Sequence, residues 1–132
     1  MILLMAVALA AANGDVAVGS WKTQTGGGVV QITRCGDSLC GYLRTSDMLR
    51  ANPGLRDGRN RDASLRTRPL AGVQVLSGFS RAGRGWSGGA IYNGQDGGTY
   101  KATITPIDAD HLKVRGCIMW PLCKTQTWTP IG

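Results

Sequence analysis

Gly85-Trp86-Ser87-Gly88-Gly89-Ala90-Ile91-Tyr92 opens the stretch that decides the fold class, which closes on Lys124-Thr125-Gln126-Thr127-Trp128. Between them, Asn93-Gly94-Gln95-Asp96-Gly97-Gly98 carries two Gly-containing turn dipeptides, a strong hairpin signal. After it, Tyr100, Ala102 and Ile104 alternate with Lys101, Thr103 and Thr105. Asp108-Ala109-Asp110 turns the chain. Leu112, Val114, Gly116 and Ile118 then alternate with Lys113 and Arg115. A period of two is the mark of a half-buried strand. The reading predicts strands over 85–92, 99–106, 111–119 and 124–129, with Trp86, Ala90 and Tyr92 sharing a face.

The pattern continues upstream. Residues 17–24 carry Gly19-Ser20-Trp21, and Gly26-Gly27-Gly28 is a turn. Residues 29–35 set Val30 and Ile32 against Gln31 and Thr33, and 39–45 complete a hairpin. Residues 72–79 set Val73 and Val75 against Gln74 and Leu76. Eight short strands with hairpin-type turns predict an antiparallel sandwich or barrel, and their spacing does not choose between the two. Composition agrees: 132 residues suit one core, 20 are glycine, and all eight acidic residues are Asp. Asp serves turns and is a poor helix former, whereas Glu, a good one, is absent.

Met1–Ala12 is apolar and uncharged, too short to span a bilayer, and ends in Ala10-Ala11-Ala12 before Asn13-Gly14. It resembles the hydrophobic region and cleavage site of a secretory signal without the basic start, and is set aside from the fold. Residues 13–132 then form one domain, periplasmic or secreted. Four cysteines in a small exported chain read as two local disulfides, Cys35–Cys40 and Cys117–Cys123, each flanking a turn. A zinc site is the rival reading, but the spacings are wide for zinc and the lone histidine is near neither pair. No metal and no cofactor is expected.

The segment from Ser46 to Arg68 is long, polar and without clear period, although Ser46 can cap a short helical turn through Met48 and Leu49. It holds Arg50, Arg56, Arg59, Arg61, Arg66 and Arg68 against Asp47, Asp57 and Asp62. Such arginines clamp phosphates or carboxylates, or are pinned by the neighbouring Asp residues. The net charge of +7 permits an anionic partner. Nucleic acid is disfavoured, because no aromatic residue is interleaved with these arginines for stacking.

Catalytic sets are missing. His111 reads as a turn residue with no nucleophile assigned to it. Asp108 and Asp110 read as turn chemistry rather than paired carboxylates or calcium ligands. Trp21, Trp86, Trp128, Tyr92 and Tyr100 either pack the core or line a cavity, and Trp120 beside Pro121 reads as an exposed contact residue.

The residue blocks resemble the bacterial exported family known as domain of unknown function 2147. Gly19-x-Trp21, Arg34-Cys35-Gly36-Asp37-x-Leu39-Cys40-Gly41 and Asp57-x-x-Asn60-x-Asp62-x-x-Leu65-Arg66-x-Arg68-Pro69-Leu70-x-Gly72 carry the resemblance. So do Gly85-Trp86-x-Gly88-Gly89-x-Ile91-Tyr92, Gly98-x-Tyr100, Leu112-Lys113-Val114-Arg115-Gly116 and Thr125-Gln126-Thr127-Trp128. Asn93-Gly94 and Arg61 depart from the family pattern. The resemblance implies a small periplasmic or secreted domain with no established activity. The opening Gly-x-Trp and the basic late strands are also similar to lipocalin-like barrels, which implies Trp21 packed beneath Arg115 or Lys124.

The expectation is therefore an all-β chain forming a single antiparallel up-and-down barrel of about eight strands, lipocalin-like and monomeric. Its first expected function is non-enzymatic binding of a small apolar or amphipathic ligand inside the barrel. Trp86, Tyr92, Tyr100 and Trp128 are the candidate lining, facing Arg59, Arg61, Arg66 and Arg68 of the long loop. The second is an interaction module whose arginine loop binds an anionic envelope component. An enzyme ranks last.

Overall fold

The computed structural model describes residues 15–119 and 122–131; the apolar segment Met1–Ala12 and Trp120 lie outside them. The strands are β1 (Gly19–Lys22), β2 (Val29–Cys35), β3 (Ser38–Thr45), β4 (Gln74–Ser77), β5 (Ser80–Ala82), β6 (Gly85–Asn93), β7 (Gly98–Asp108), β8 (His111–Met119) and β9 (Leu122–Pro130). A short helix α1 (Asp47–Ala51) and a 3-10 turn (Ala63–Leu65) lie between β3 and β4. The Ser46 hydroxyl accepts from the Leu49 N–H at 3.2 Å, the cap that the sequence predicts.

The sheet order is β4-β3-β2-β1-β9-β8-β7-β6-β5, every pairing is antiparallel, and β4 also pairs with β6 through Leu76 opposite Ile91. That last pairing closes the sheet. β5 continues along β6 where β4 leaves off at Gly78-Phe79, so the two short strands share one place in the ring. The result is a closed antiparallel barrel of eight strands. Closure resolves the choice between sandwich and barrel, and it leaves no long unpaired edge.

Two facing assignments change. Trp86 pairs with Ile104 but Gly89 pairs with Ala102, so β6 carries one extra residue at Ser87–Gly88. Gly88 makes this bulge possible with a φ of 71°, a conformation that costs glycine little. Beyond the bulge the alternation flips. Ile91, opposite Tyr100, joins the inward face with Trp86 and Gly89, while Ala90 and Tyr92 turn to the other side. In β4, Gly41 pairs with Leu76 and Tyr42 with Gln74, which leaves Val75 as the extra residue. Leu76 therefore sits on the inward face, fully buried, instead of opposing Val75 across the strand.

The two barrel ends differ. One is packed solid by Trp21, Ile32, Leu39, Phe79, Trp86, Ile104, Leu112 and Trp128, each at most 2% exposed. Burying a large apolar side chain stabilises by about 1.5–3 kcal/mol, so this end holds much of the core. The segment before β1 plugs it: Ala17 is buried and accepts from Trp21 Nε1 at 2.9 Å. The cationic cover lies over Trp86, not Trp21. Arg81 stands 4.4 Å and Arg34 5.4 Å from the Trp86 ring, and Arg81 pairs with Asp15 at 3.2 Å. Arg115 cannot cover Trp21, because its partners Thr103 and Thr125 put it out of phase with inward Val114. Lys124 is aligned with Gly116, toward the opposite end.

The disulfides Cys35–Cys40 and Cys117–Cys123 form as the spacing predicts, with Cα separations of 5.8 and 4.0 Å. The cysteines are thus committed to cross-links rather than to zinc. The first staples the β2–β3 hairpin at the closed end, and the second staples β8 to β9 at the other.

Candidate functional site

The inward face is filled at the closed end and empty above it. A cavity of about 680 Å³ rises from Trp128 to the opposite end of the barrel. Its wall is largely apolar, with Val30 from β2, Leu43 from β3, Val75 from β4, Ile91 from β6 and Val114 from β8. The turns β1–β2, β6–β7 and β8–β9, together with α1, form the mouth and contribute Thr25, Gln95, Ile118, Leu122 and Met48. A concave, mostly apolar space with a few converging polar groups is the usual form of a small-molecule site.

Those polar groups come from one strand and one hairpin. Along β9, Lys124, Gln126 and Trp128 oppose inward Gly116, Val114 and Leu112, so the three side chains step from the mouth to the floor. Gln126 accepts from Trp128 Nε1 at 3.0 Å, which fixes the floor ring. Across the mouth, the Tyr100 hydroxyl and the Gly98 N–H both donate to Asp96. Burial pushes the Asp96 carboxyl up, but these two donors and the Arg61 charge outweigh it and hold it below the usual carboxylate range. The same contact holds the Tyr100 proton, so its pKa rises. Among the described residues, Lys124 makes no ion pair.

The arginine loop is ordered by its own backbone. Leu70 N–H donates to Leu55 at 3.0 Å and Asp57 N–H to Arg68 at 2.9 Å, so the segment doubles back on itself. Asp57 is its hub and is 1% exposed. Its carboxylate accepts from Asn60 at 2.8 Å, from Arg68 at 2.9 Å and from the Tyr92 hydroxyl. Burial raises the Asp57 pKa, but the hydrogen bonds from Tyr92, Asn60 and Arg68 reverse this, and the carboxyl stays below its ordinary value. Tyr92, desolvated and donating to that carboxylate, is pushed up to about 12. The loop also crosses the β6–β7 turn, where Arg59 donates to the Gln95 carbonyl at 2.7 Å. A Cβ on Gly97 would stand 1.7 Å from the Arg59 carbonyl oxygen, so only glycine fits beneath the loop.

The structure separates the residues that the sequence singles out. Tyr92, Tyr100 and Trp128 border the cavity; Trp86 lies at the closed end and is absent from the lining. Arg66 donates to the Asn60 carbonyl at 2.7 Å and Arg68 to Asp57, so both serve the loop's own structure. Arg59 and Arg61 sit at the mouth, tied to the β6–β7 turn. A smaller cleft of about 410 Å³ lies outside the barrel, between Arg61, Arg68 and Tyr92. The residues missed are Lys124 and Gln126. A period of two read backwards from Trp128 selects both. His111 Nδ1 contacts Asp108 at 2.7 Å in the β7–β8 turn, and Asp108 accepts from the Asp110 N–H, which is the turn role expected of them.

Three comparisons bear on this architecture. No functionally curated protein matches the chain. Among solved structures it is similar to protein HP1028 from the human pathogen Helicobacter pylori, described as belonging to the lipocalin family. The identity is 24%, the TM-score is 0.79, and the match covers 87% of this chain and 82% of that one. At that identity the likeness speaks to the barrel fold alone. The family model for uncharacterized proteins conserved in bacteria, DUF2147, matches residues 19–130, and the chain belongs to that family.

Proposed function

We propose that this protein is an exported, non-enzymatic binding protein that holds one small amphipathic molecule in its barrel. The apolar part of the ligand lies against Val30, Leu43, Ile91, Val114 and Trp128, and its polar end meets Lys124 and Gln126 at the mouth. The cavity of about 680 Å³, with a largely apolar wall and Gln95, Asp96, Lys124 and Gln126 near its mouth, is the observation that carries this reading. Lipocalin-like architecture supports it at the level of fold. Two disulfides in a bacterial family support a periplasmic or secreted location.

Native mass spectrometry of the protein purified from its own periplasm tests the proposal. The expected result is a bound small molecule released by organic solvent. A second arm titrates delipidated protein with a single-chain fatty acid and follows tryptophan fluorescence, since Trp128 forms the cavity floor. A ligand-free native protein, together with no saturable fluorescence change, would reject the reading.

A further inference from the structure

We propose that the cavity mouth is also a docking surface for an anionic lipid bilayer, with Ile118 and Leu122 entering the interface and the basic rim facing lipid headgroups. Ile118 is 70% exposed and Leu122 61%, the two highest values among the described large apolar side chains. Both stand at the β8–β9 hairpin and also line the cavity, so an apolar surface runs from inside the barrel out over its lip. Met48, 37% exposed on α1, extends this surface on another part of the rim. The Cys117–Cys123 disulfide ties the two strands directly beneath Ile118 and Leu122 and holds them in place.

Charge selects the partner. Four bases (Arg50, Arg59, Arg61, Lys124) face two acids (Asp47, Asp96) around the mouth. Arg50 bonds Asp47 and the Gly27 carbonyl, and Arg61 faces Asp96, which leaves Arg59 and Lys124 outside any ion pair among the described residues. The closed end also exposes apolar side chains, Ile107 at 57%, Ile131 at 46% and Val16 at 43%. There, however, the acids Asp15, Asp37, Asp108 and Asp110 balance the bases Arg34, Arg81, Arg84 and Lys113, without the surplus of bases found at the mouth, so that end suits an anionic surface less well. Exposed apolar side chains set among basic ones are the combination that binds an interface by burial and headgroup attraction together. Docking in this orientation opens the cavity straight onto the lipid phase. The inference does not depend on what the cavity holds.

Co-sedimentation of the full chain with vesicles tests it, using phosphatidylcholine vesicles with and without phosphatidylglycerol. The expected result is binding to the phosphatidylglycerol vesicles, weakened by salt, and none to phosphatidylcholine alone. Ile118→Ser with Leu122→Ser, and separately Arg59→Gln with Lys124→Gln, each lower the partition coefficient about tenfold or more. Ile107→Ser at the closed end leaves it unchanged. Circular dichroism and melting curves verify that each variant folds, as exposed positions allow. Wild-type protein that fails to sediment, or rim variants that bind as well as wild type, would overturn the proposal. So would sedimentation equilibrium showing a dimer that Ile118→Ser with Leu122→Ser dissolves, since a second copy would then cover the rim.

Discussion

Tyr92 and Asp57, 35 residues apart in sequence, meet where the long arginine loop crosses the barrel wall, the tyrosine hydroxyl donating to the buried carboxylate. Asn60 and Arg68 complete the shell, and the Arg68 guanidinium also lies 5.9 Å from the Tyr92 ring. The carboxylate is thus the pin that fastens the segment between β3 and β4 to the outside of the barrel. Asp57→Ala leaves Arg68, Asn60 and Tyr92 without their acceptor. It is expected to cost about 3–5 kcal/mol, as loss of one partner in a buried charged network does. Urea unfolding of the variant measures this. Asp57→Asn keeps the shape and one acceptor oxygen, and should cost less.

The same pair sets opposite limits in pH. Asp57 is held below its ordinary value of 3.8, so its stabilisation is complete above that value and is lost as pH falls through the lower folded value. Tyr92 is held at about 12 against an ordinary 10.0, so its share is complete below pH 10 and is lost as pH rises toward 12. Stability measured against pH should therefore fall at both extremes. Tyr92→Phe should flatten the alkaline limb. A wild-type curve level up to pH 12 would contradict the hydrogen bond.

Ligand affinity should follow the one inward lysine. Lys124→Glu places a negative charge at the mouth, across from Asp96, and a fatty acid is expected to bind about tenfold or more weakly. The corresponding fatty alcohol should be little affected. Ile91→Trp blocks the cavity from its wall instead. It should abolish both ligands at a stability cost of about 1–3 kcal/mol from overpacking. The pair of variants separates the charge of the headgroup from occupancy of the chain, by fluorescence titration in each case.

Strands and turns were legible because apolar and polar residues alternate with few interruptions. Val29–Cys35 falls on its predicted limits, and the β6–β7 turn occupies the Asn93–Gly98 signal. Facing was legible only as far as the alternation stayed in phase. Ser87-Gly88-Gly89 offers no side chain large enough to reveal that one residue bulges, and so Tyr92 was placed on the wrong side of β6 relative to Trp86. Leu76 was misplaced for a similar reason, the extra residue at Val75. Asp57 was one acid among several in a polar loop. Its burial depends on Asn60, Arg68 and a tyrosine on a distant strand, and no local pattern carries that. The candidate site was half legible: the aromatics near the cavity were singled out, but Lys124 and Gln126 look like ordinary strand polars until the barrel closes.

The two disulfides offer a last contrast, because they close loops of nearly equal size at opposite ends. Their sequence separations are 5 and 6 residues. In the chain-entropy picture, loops this short stabilise by about 2 kcal/mol each, against about 4.7 for a loop of 100 residues. Cys35→Ser with Cys40→Ser and Cys117→Ser with Cys123→Ser should therefore lower stability to a similar extent. Ligand binding should not respond alike. The first pair lies at the packed end, and its loss should leave affinity for a fatty acid unchanged. Cys123 lines the cavity and its bond steadies Ile118 and Leu122, so loss of the second pair should weaken binding by several-fold. Denaturant curves and fluorescence titrations on the two double variants measure both effects. Equal loss of affinity in the two would place the ligand elsewhere than the mouth-side cavity.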